Sequence, residues 1–151
     1  MIKIICVGKI KEDYLKNAID EYSKRLSKYT KLELIEVMDV DNPSIDITLS
    51  KERDNILKHI NPKDYIVTME IDGNMLDSIE FSKKVNQLFI TNSCITFIIG
   101  GSYGLHSDIK KMSNYKLSFS KMTFPHQLFR VILLEQIYRS FKINNNESYH
   151  K

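Results

Sequence analysis

The sequence predicts an α/β fold, an open parallel-type sheet flanked by helices, and three observations carry that prediction. The first residues, Met1-Ile2-Lys3-Ile4-Ile5-Cys6-Val7-Gly8, are a short apolar run closed by a glycine, which is the pattern of a strand. Cys94 to Ile99 is almost uninterrupted in its apolarity, as strands buried on both faces of a parallel sheet are. Between and beyond these runs, strand-like segments alternate with amphipathic helical stripes, the order that builds a parallel sheet covered by helices.

Taken in order, Leu15, Ala18, Ile19, Tyr22, Leu26 and Tyr29 recur at three- and four-residue intervals after the first strand and define one face of a helix. Residues 32–38 alternate and are rich in strand formers, giving a second strand, and residues 39–47, with Pro43, read as a loop. Leu49, Arg53, Ile56, Leu57 and Ile60 form another helical stripe, stopped by Pro62, which has no N–H to donate. Residues 64–71 are a third strand and Asp72-Gly73 a turn after it, while Asp77 with Glu80 forms a capping box for a helix through Phe81, Val85, Leu88 and Phe89. The strand at 94–99 then runs straight into Gly100-Gly101-Ser102-Tyr103-Gly104. A short helix over 107–112, a strand over 115–120 and a long helix from Pro125 to Ile143 complete the alternation, and the tail Glu147 to Lys151 reads as mobile in isolation.

The 151 residues have the size of one domain, expected to span 1–151, and 42% hydrophobic with 27% charged residues is the composition of a folded soluble protein. No apolar stretch approaches the roughly 20 residues a membrane span needs, and Arg130, Glu135 and Arg139 interrupt the longest helical candidate. The expectation is a soluble, cytoplasmic protein with no membrane partner. Cys6 and Cys94 lie in apolar runs without His or Cys at metal-ligand spacing, so they read as core thiols and no metal is expected.

Charge is distributed unevenly. Lys and Arg outnumber Asp and Glu by 8 to 4 in residues 1–31 and by 8 to 2 in residues 110–151, whereas residues 32–72 carry 4 against 10. A basic carboxyl-terminal third beside a ligand site suits a polyanion such as RNA; a solvated basic face accounts for the charge equally well. The last helix is apolar around most of its circumference, through Leu128, Phe129, Val131 to Leu134, Ile137, Tyr138 and Phe141. It requires burial on more than one side, supplied by a second subunit or by the rest of the monomer.

Ligands of open parallel sheets bind at the carboxyl ends of the strands, where the glycine loop 100–104 lies. Its spacing is neither G-x-G-x-x-G nor that of a P-loop, and taken alone it reads best as a tight turn. The loop after the next strand mixes Ser118, Ser120 and Thr123 with Phe119, Met122 and Phe124 ahead of Pro125. That mixture suits a ligand with an apolar ring and a few hydrogen-bonding groups; a hydrophobic loop packed over the sheet is the alternative. His126 starts the last helix, where the dipole favours its neutral form. Arg130 and Arg139 can both pair with Glu135, as i to i+5 and i to i+4 neighbours, and the better geometry of the second leaves Arg130 free to meet an anion.

Read together, Ile-Ile-Cys-Val-Gly-Lys-Ile-Lys at the amino terminus, Thr68-Met69-Glu70-Ile71-Asp72-Gly73, Ile99 to Leu105, Ser118 to Arg130 and the terminal Tyr149-His150-Lys151 resemble the SPOUT-class methyltransferase family that modifies N3 of a pseudouridine in 23S ribosomal RNA. The resemblance spans essentially the whole chain. It implies S-adenosylmethionine as methyl donor, a homodimer, a carboxyl-terminal trefoil knot, and 23S rRNA within the assembled ribosome as partner. Carried over by position, it implies a cofactor pocket of Met69, Gly100, Gly101, Phe119, Ser120, Lys121, Met122, Thr123 and Phe124. It further implies that Arg130, Tyr149 and His150 organise the RNA target, the tail reaching the partner's site, while His126 orders the loop or assists proton transfer. Met69 stands where the family often has Leu, a volume-conserving change, and Lys151 where some members have Arg. A non-catalytic RNA-binding protein and a small nucleotide-binding regulator are the two other readings of the residues; heat on mixing with S-adenosylmethionine speaks against the first, and competition by ATP but not by S-adenosylhomocysteine speaks for the second.

Overall fold

The computed structural model describes all of Met1–Lys151. Strands β1 (Ile2–Val7), β2 (Leu32–Val37), β3 (Tyr65–Met75), β4 (Ile95–Ile99) and β5 (Tyr115–Ser118) form one sheet in the order β2-β1-β4-β3-β5. Every neighbouring pair is parallel, as expected. The connecting helices are α1 (Asp13–Leu26), α2 (Ile45–Leu57), α3 (Ser78–Thr91), α4 (Ser107–Met112) and α5 (His126–Asn144). Because side chains alternate along a strand, β1 feeds two cores. Ile2, Ile4 and Cys6 pack with Leu26, Phe81, Val85 and Leu133 of α1, α3 and α5, while Ile5 and Val7 pack with Ile56 of α2 and Ile109 of α4.

The Asp77–Glu80 capping box is present in both directions, Glu80 N–H donating to Asp77 Oδ1 at 2.7 Å and Asp77 N–H to Glu80 Oε2 at 2.8 Å. Two boundaries differ from the sequence reading. Asp72-Gly73 does not end β3: residues 70–73 bulge outward while Met69 and Asn74 both pair with Leu117 of β5. A Cβ on Gly73 would lie 2.9 Å from the backbone of Lys116 and Leu117, so glycine here serves a close return to the sheet edge rather than a turn. α2 begins at Ile45, capped by the Ser44 hydroxyl; of the predicted stripe Ile56 is buried as expected, but Thr48 and Glu52 join it while Leu57 stays exposed. α5 packs between α1 and α3, and Leu133, Leu134 and Ile137 are fully buried within the monomer, whereas Leu128 stays 40% exposed.

At the amino-terminal edge of the sheet, Lys3 Nζ donates to Asp64 Oδ2 at 2.8 Å and to the His59 carbonyl at 3.0 Å, and both charged side chains are 3% exposed. Burial by itself would lift the Asp64 carboxyl, but donation from Lys3, the Asn61 amide and the Thr96 hydroxyl holds it below the ordinary carboxylate range. A lowered folded-state value means that the pair stabilises the fold above the ordinary carboxylate pKa and loses that contribution as pH falls through the lowered one. Asp64→Asn leaves a buried ammonium without its anion and should lower stability at pH 7 by about 3–5 kcal/mol in urea unfolding. The double variant Lys3→Met, Asp64→Leu should lose less than Asp64→Asn alone.

Candidate functional site

Three loops and a helix start meet at the carboxyl ends of the central strands, where open α/β sheets bind ligands. They are the bulge of β3, the loop after β4, the loop after β5 and the first turn of α5. The glycine loop closes on itself: the Gly104 N–H donates to the Gly101 carbonyl at 3.1 Å, the two residues form an isolated bridge, and Gly104 has φ 76°. A Cβ on Gly100 would stand 2.5 Å from the Gly104 carbonyl oxygen, so only glycine lets this loop fold flat and present its backbone to the cleft.

The loop after β5 is held by its own serines. Ser118 Oγ donates to the Ser120 carbonyl at 3.1 Å, and Ser120 Oγ accepts from the Met122 N–H at 2.9 Å. Beneath it, Phe119 packs against Phe129 with ring centroids 5.2 Å apart, and Phe124 stacks on Phe129 at 6.0 Å. The resulting cleft has apolar walls from Met69, Ile99, Leu117 and these rings, with polar edges from the serines, Thr123 and the glycine backbone. Of the nine residues expected in the cofactor pocket, eight line the cleft; Lys121 is exposed and does not. Glu70, Ile71, Ser102 and Phe129 line it as well. Glu70, Ile71 and Phe129 carry no local signal, because a bulge and the buried side of a helix turn have no motif, whereas Ser102 lies within the glycine loop itself.

His126 lines the same cleft. Burial lowers its pKa, the neighbouring Arg130 cation lowers it further, and Asp39 partly offsets both, so the imidazole stands neutral at physiological pH. Arg130 corrects the expectation that it is free. It is 1% exposed, with Nη1 donating to Glu36 Oε2 at 2.9 Å and Nη2 donating to the carbonyls of Val7 at 3.0 Å and Gly8 at 2.7 Å. Glu135 pairs with Arg139, the better-spaced of its two candidate partners, but the sequence could not show that Glu36, distant along the chain, stands beside Arg130. Gly8, at φ 92°, threads between these groups, its missing Cβ directed at His126 Nε2 and Arg130 Nη2.

The tail is docked rather than mobile. Glu147 accepts from the Tyr29 hydroxyl at 2.8 Å and from Lys142 Nζ at 2.8 Å. The Tyr149 hydroxyl donates to Glu135 Oε1 at 3.0 Å, with its ring edge-on to Tyr138. Burial, then the Glu135 carboxylate, push the Tyr149 phenol up to about 12. Arg139 joins Glu135 at 2.7 Å and stands 3.1 Å from His150 Nδ1. Glu135 is nine residues beyond His126, about 13 Å along the helix at 1.5 Å per residue, so within one chain Tyr149 and His150 do not meet the cleft. Burial pushes the Cys6 thiol up to about 12, which makes it inert as a nucleophile.

The arrangement is that of a methyltransferase of the SPOUT class: the family model described as predicted SPOUT methyltransferase matches residues 1–150. The chain is 56% identical to the ribosomal RNA large subunit methyltransferase H of Clostridium tetani and 55% identical to that of Clostridium kluyveri, over 99% of both chains in each case. A crystal structure of a "probable methyltransferase" from Bordetella pertussis Tohama I shares the fold with TM-score 0.60 at 9% identity, covering 92% of this chain and 93% of that one. The chain therefore belongs to the ribosomal RNA large subunit methyltransferase H family of SPOUT enzymes.

The buried guanidinium yields a direct test. Glu36→Ala leaves Arg130 without a carboxylate and should destabilise the protein by about 3 kcal/mol in denaturant unfolding. Glu36→Gln, which keeps an acceptor for Nη1 and for the Ile10 amide that Glu36 also binds at 2.7 Å, should cost less than half as much.

Proposed function

We propose that this enzyme methylates N3 of a pseudouridine in large-subunit (23S) ribosomal RNA, with S-adenosylmethionine as donor and the assembled ribosome as substrate. The observation that carries the reading is the cleft at the ends of β4 and β5, built by a loop that admits no side chain at position 100, in a chain more than half identical along its length to relatives named for ribosomal RNA large-subunit methylation. The cleft fits the donor. Its apolar walls suit an adenine ring, and the backbone of 100–104 and 118–124 suits the ring's polar edge.

When bound, S-adenosylmethionine supplies an already activated methyl group, so the protein's task is to bind, align and remove a proton. Met69, Gly100, Gly101, Phe119, Ser120, Met122, Thr123 and Phe124 hold the donor in this reading. His126, neutral and at the cleft edge, orders the loop and accepts or donates a hydrogen bond near the target. Arg130 acts as a positioning residue, because it is 1% exposed and both of its terminal nitrogens are held by β1 and Glu36. Tyr149 and His150 stand too far from their own cleft, and they take part in a homodimer in which the tail of one subunit serves the cleft of the other; the half-covered stripe of Leu128, Val131 and Ile132 on α5 suits that contact. The carboxyl-terminal trefoil knot of the family, the single-domain organisation of residues 1–151 and a cytoplasmic location belong to the same reading. No helix is long and apolar enough to cross a membrane.

Ribosomes from a strain lacking this gene, incubated with the enzyme and methyl-labelled donor, should take up close to one methyl group per large subunit, mapped to a pseudouridine by mass spectrometry. Uptake into another nucleotide, or none, would overturn the assignment. Gly100→Ala should weaken S-adenosylhomocysteine binding by more than tenfold in calorimetry. Removing residues 149–151 should leave that binding within about twofold while methylation falls by at least tenfold, and wild-type methylation by the truncated enzyme would remove the tail from the mechanism.

A further inference from the structure

The methylation proposed above leaves one chemical task without an owner, the removal of the proton from the ring nitrogen that is to be methylated. Of the candidate bases around the cleft, His126 is a weakened one, because burial and the Arg130 cation lower its pKa, and most of the others are already committed. Glu70 accepts from the Thr68 hydroxyl at 2.6 Å and stands 4.0 Å from Lys110. Glu36 is bound by Arg130 and the Ile10 amide. Tyr149 is itself a donor, to Glu135.

Glu52 is different. It lies on α2 beside Gly101, outside the lining of the cleft, and is 6% exposed. No cation lies within ion-pairing distance of it, and its one hydrogen bond is a long one, 3.4 Å from the Val40 N–H to Oε1. A carboxylate so buried without a counter-ion is costly, and such groups concentrate at functional sites. Both of its oxygens point at Gly101, whose Cβ, if present, would lie 3.5 Å from Oε2 and 3.6 Å from Oε1. Gly101 also lines the methyl-donor cleft. The only fully buried side-chain polar atom lacking a partner is Arg130 Nε, so Glu52 Oε2, which accepts no hydrogen bond, is not fully enclosed.

We infer that Glu52 is the proton acceptor for the target base, which enters over Gly101 between the ends of β1 and β2. The proposal rests on the function proposed above and adds to it the identity of the base. In the step, the N–H bond of the ring nitrogen breaks and its proton passes to Glu52 Oε2. The freed electron pair forms the bond to the methyl carbon, and the electrons of the broken sulfur–carbon bond remain on sulfur. Burial raises the Glu52 pKa, the Val40 amide lowers it, and the Asp39 carboxylate raises it, which makes it a stronger base than an exposed glutamate. Asp39 is the charged group facing it from the segment after β2; Arg53, the next residue of α2, is taken up by Asp54 and Asp108, and His126 and Arg130 stand beyond Gly8. Since the folded state holds this proton more tightly than the unfolded chain, ionised Glu52 opposes folding above its raised pKa, and the penalty fades as pH falls below it.

The test compares wild type with Glu52→Gln on ribosomes lacking the methyl group, by single-turnover methylation between pH 5.5 and 9. Glu52→Gln should be slower by about 100-fold or more at pH 8 and should lack the acid limb of the wild-type profile. Its affinity for S-adenosylhomocysteine should stay within about twofold and its melting temperature should rise at pH 8. In the wild type, carboxyl-13C glutamate NMR should give Glu52 a titration midpoint matching that acid limb, a reading that survives if the variant does not fold. A variant rate within threefold of wild type, an affinity loss that parallels the rate loss, or a Glu52 midpoint remote from the acid limb would each overturn the proposal. Absence of methylation by the wild type would instead overturn the function on which it rests.

Discussion

The placement of the candidate site depends on one buried cation. Arg130 rises from the first turn of α5, and its guanidinium caps the exit of β1 by taking the Val7 and Gly8 carbonyls while pairing with Glu36 on β2. A charge 1% exposed needs partners, and Nη1 and Nη2 find theirs on β1 and β2 while Nε has none, so these contacts fix where α5 starts. That place sets His126 at the edge of the cleft, pins Pro125 and the loop of residues 118–124 that precedes it, and holds Gly8 in its left-handed conformation beside Asp39. The same charge helps to keep His126 neutral. One ion pair thus couples the fold to the electrostatics of the site.

Around this anchor the carboxyl end of the sheet divides into two regions of different chemistry. The side formed by β3, β4 and β5 is apolar, ringed by Met69, Phe119, Phe124 and Phe129, and suited to a flat ring. The side formed by β1, β2 and α2 carries Glu36, Asp39 and Glu52 next to Gly8 and Gly101. The glycine loop is the partition. The absence of side chains at Gly100 and Gly101 leaves only backbone between the two regions. The tail forms a third unit, docked on α5 through Glu135, Arg139 and Glu147, and it meets a cleft only if a second subunit supplies one.

The sequence was most legible where burial repeats with a fixed period. The β1 and β4 runs, the Asp77–Glu80 box and the glycine loop are local signals, and they mark the parallel sheet and one wall of the cleft, whereas the eight expected residues that line it came from the family resemblance. It was least legible where long-range contacts override local pattern. The α2 stripe was misread because Thr48 and Glu52 face the protein while Leu57 does not, a choice set by what stands opposite rather than by apolarity. Arg130 resembled a surface cation because Glu36 is 94 residues away. The tail resembled a frayed end because its partners, Tyr29 and Glu135, are distant in sequence, and Asp72-Gly73 resembled a turn because a bulge needs the same residue types.

Hydrogen exchange of the whole protein with and without S-adenosylhomocysteine tests the central claim most directly, since it reads where the donor sits independently of any reaction. Protection should rise in residues 69–71, 99–104 and 118–126 and remain unchanged in α1 and in the outer turns of α2. Protection confined to other segments, or none at saturating ligand, would contradict the account.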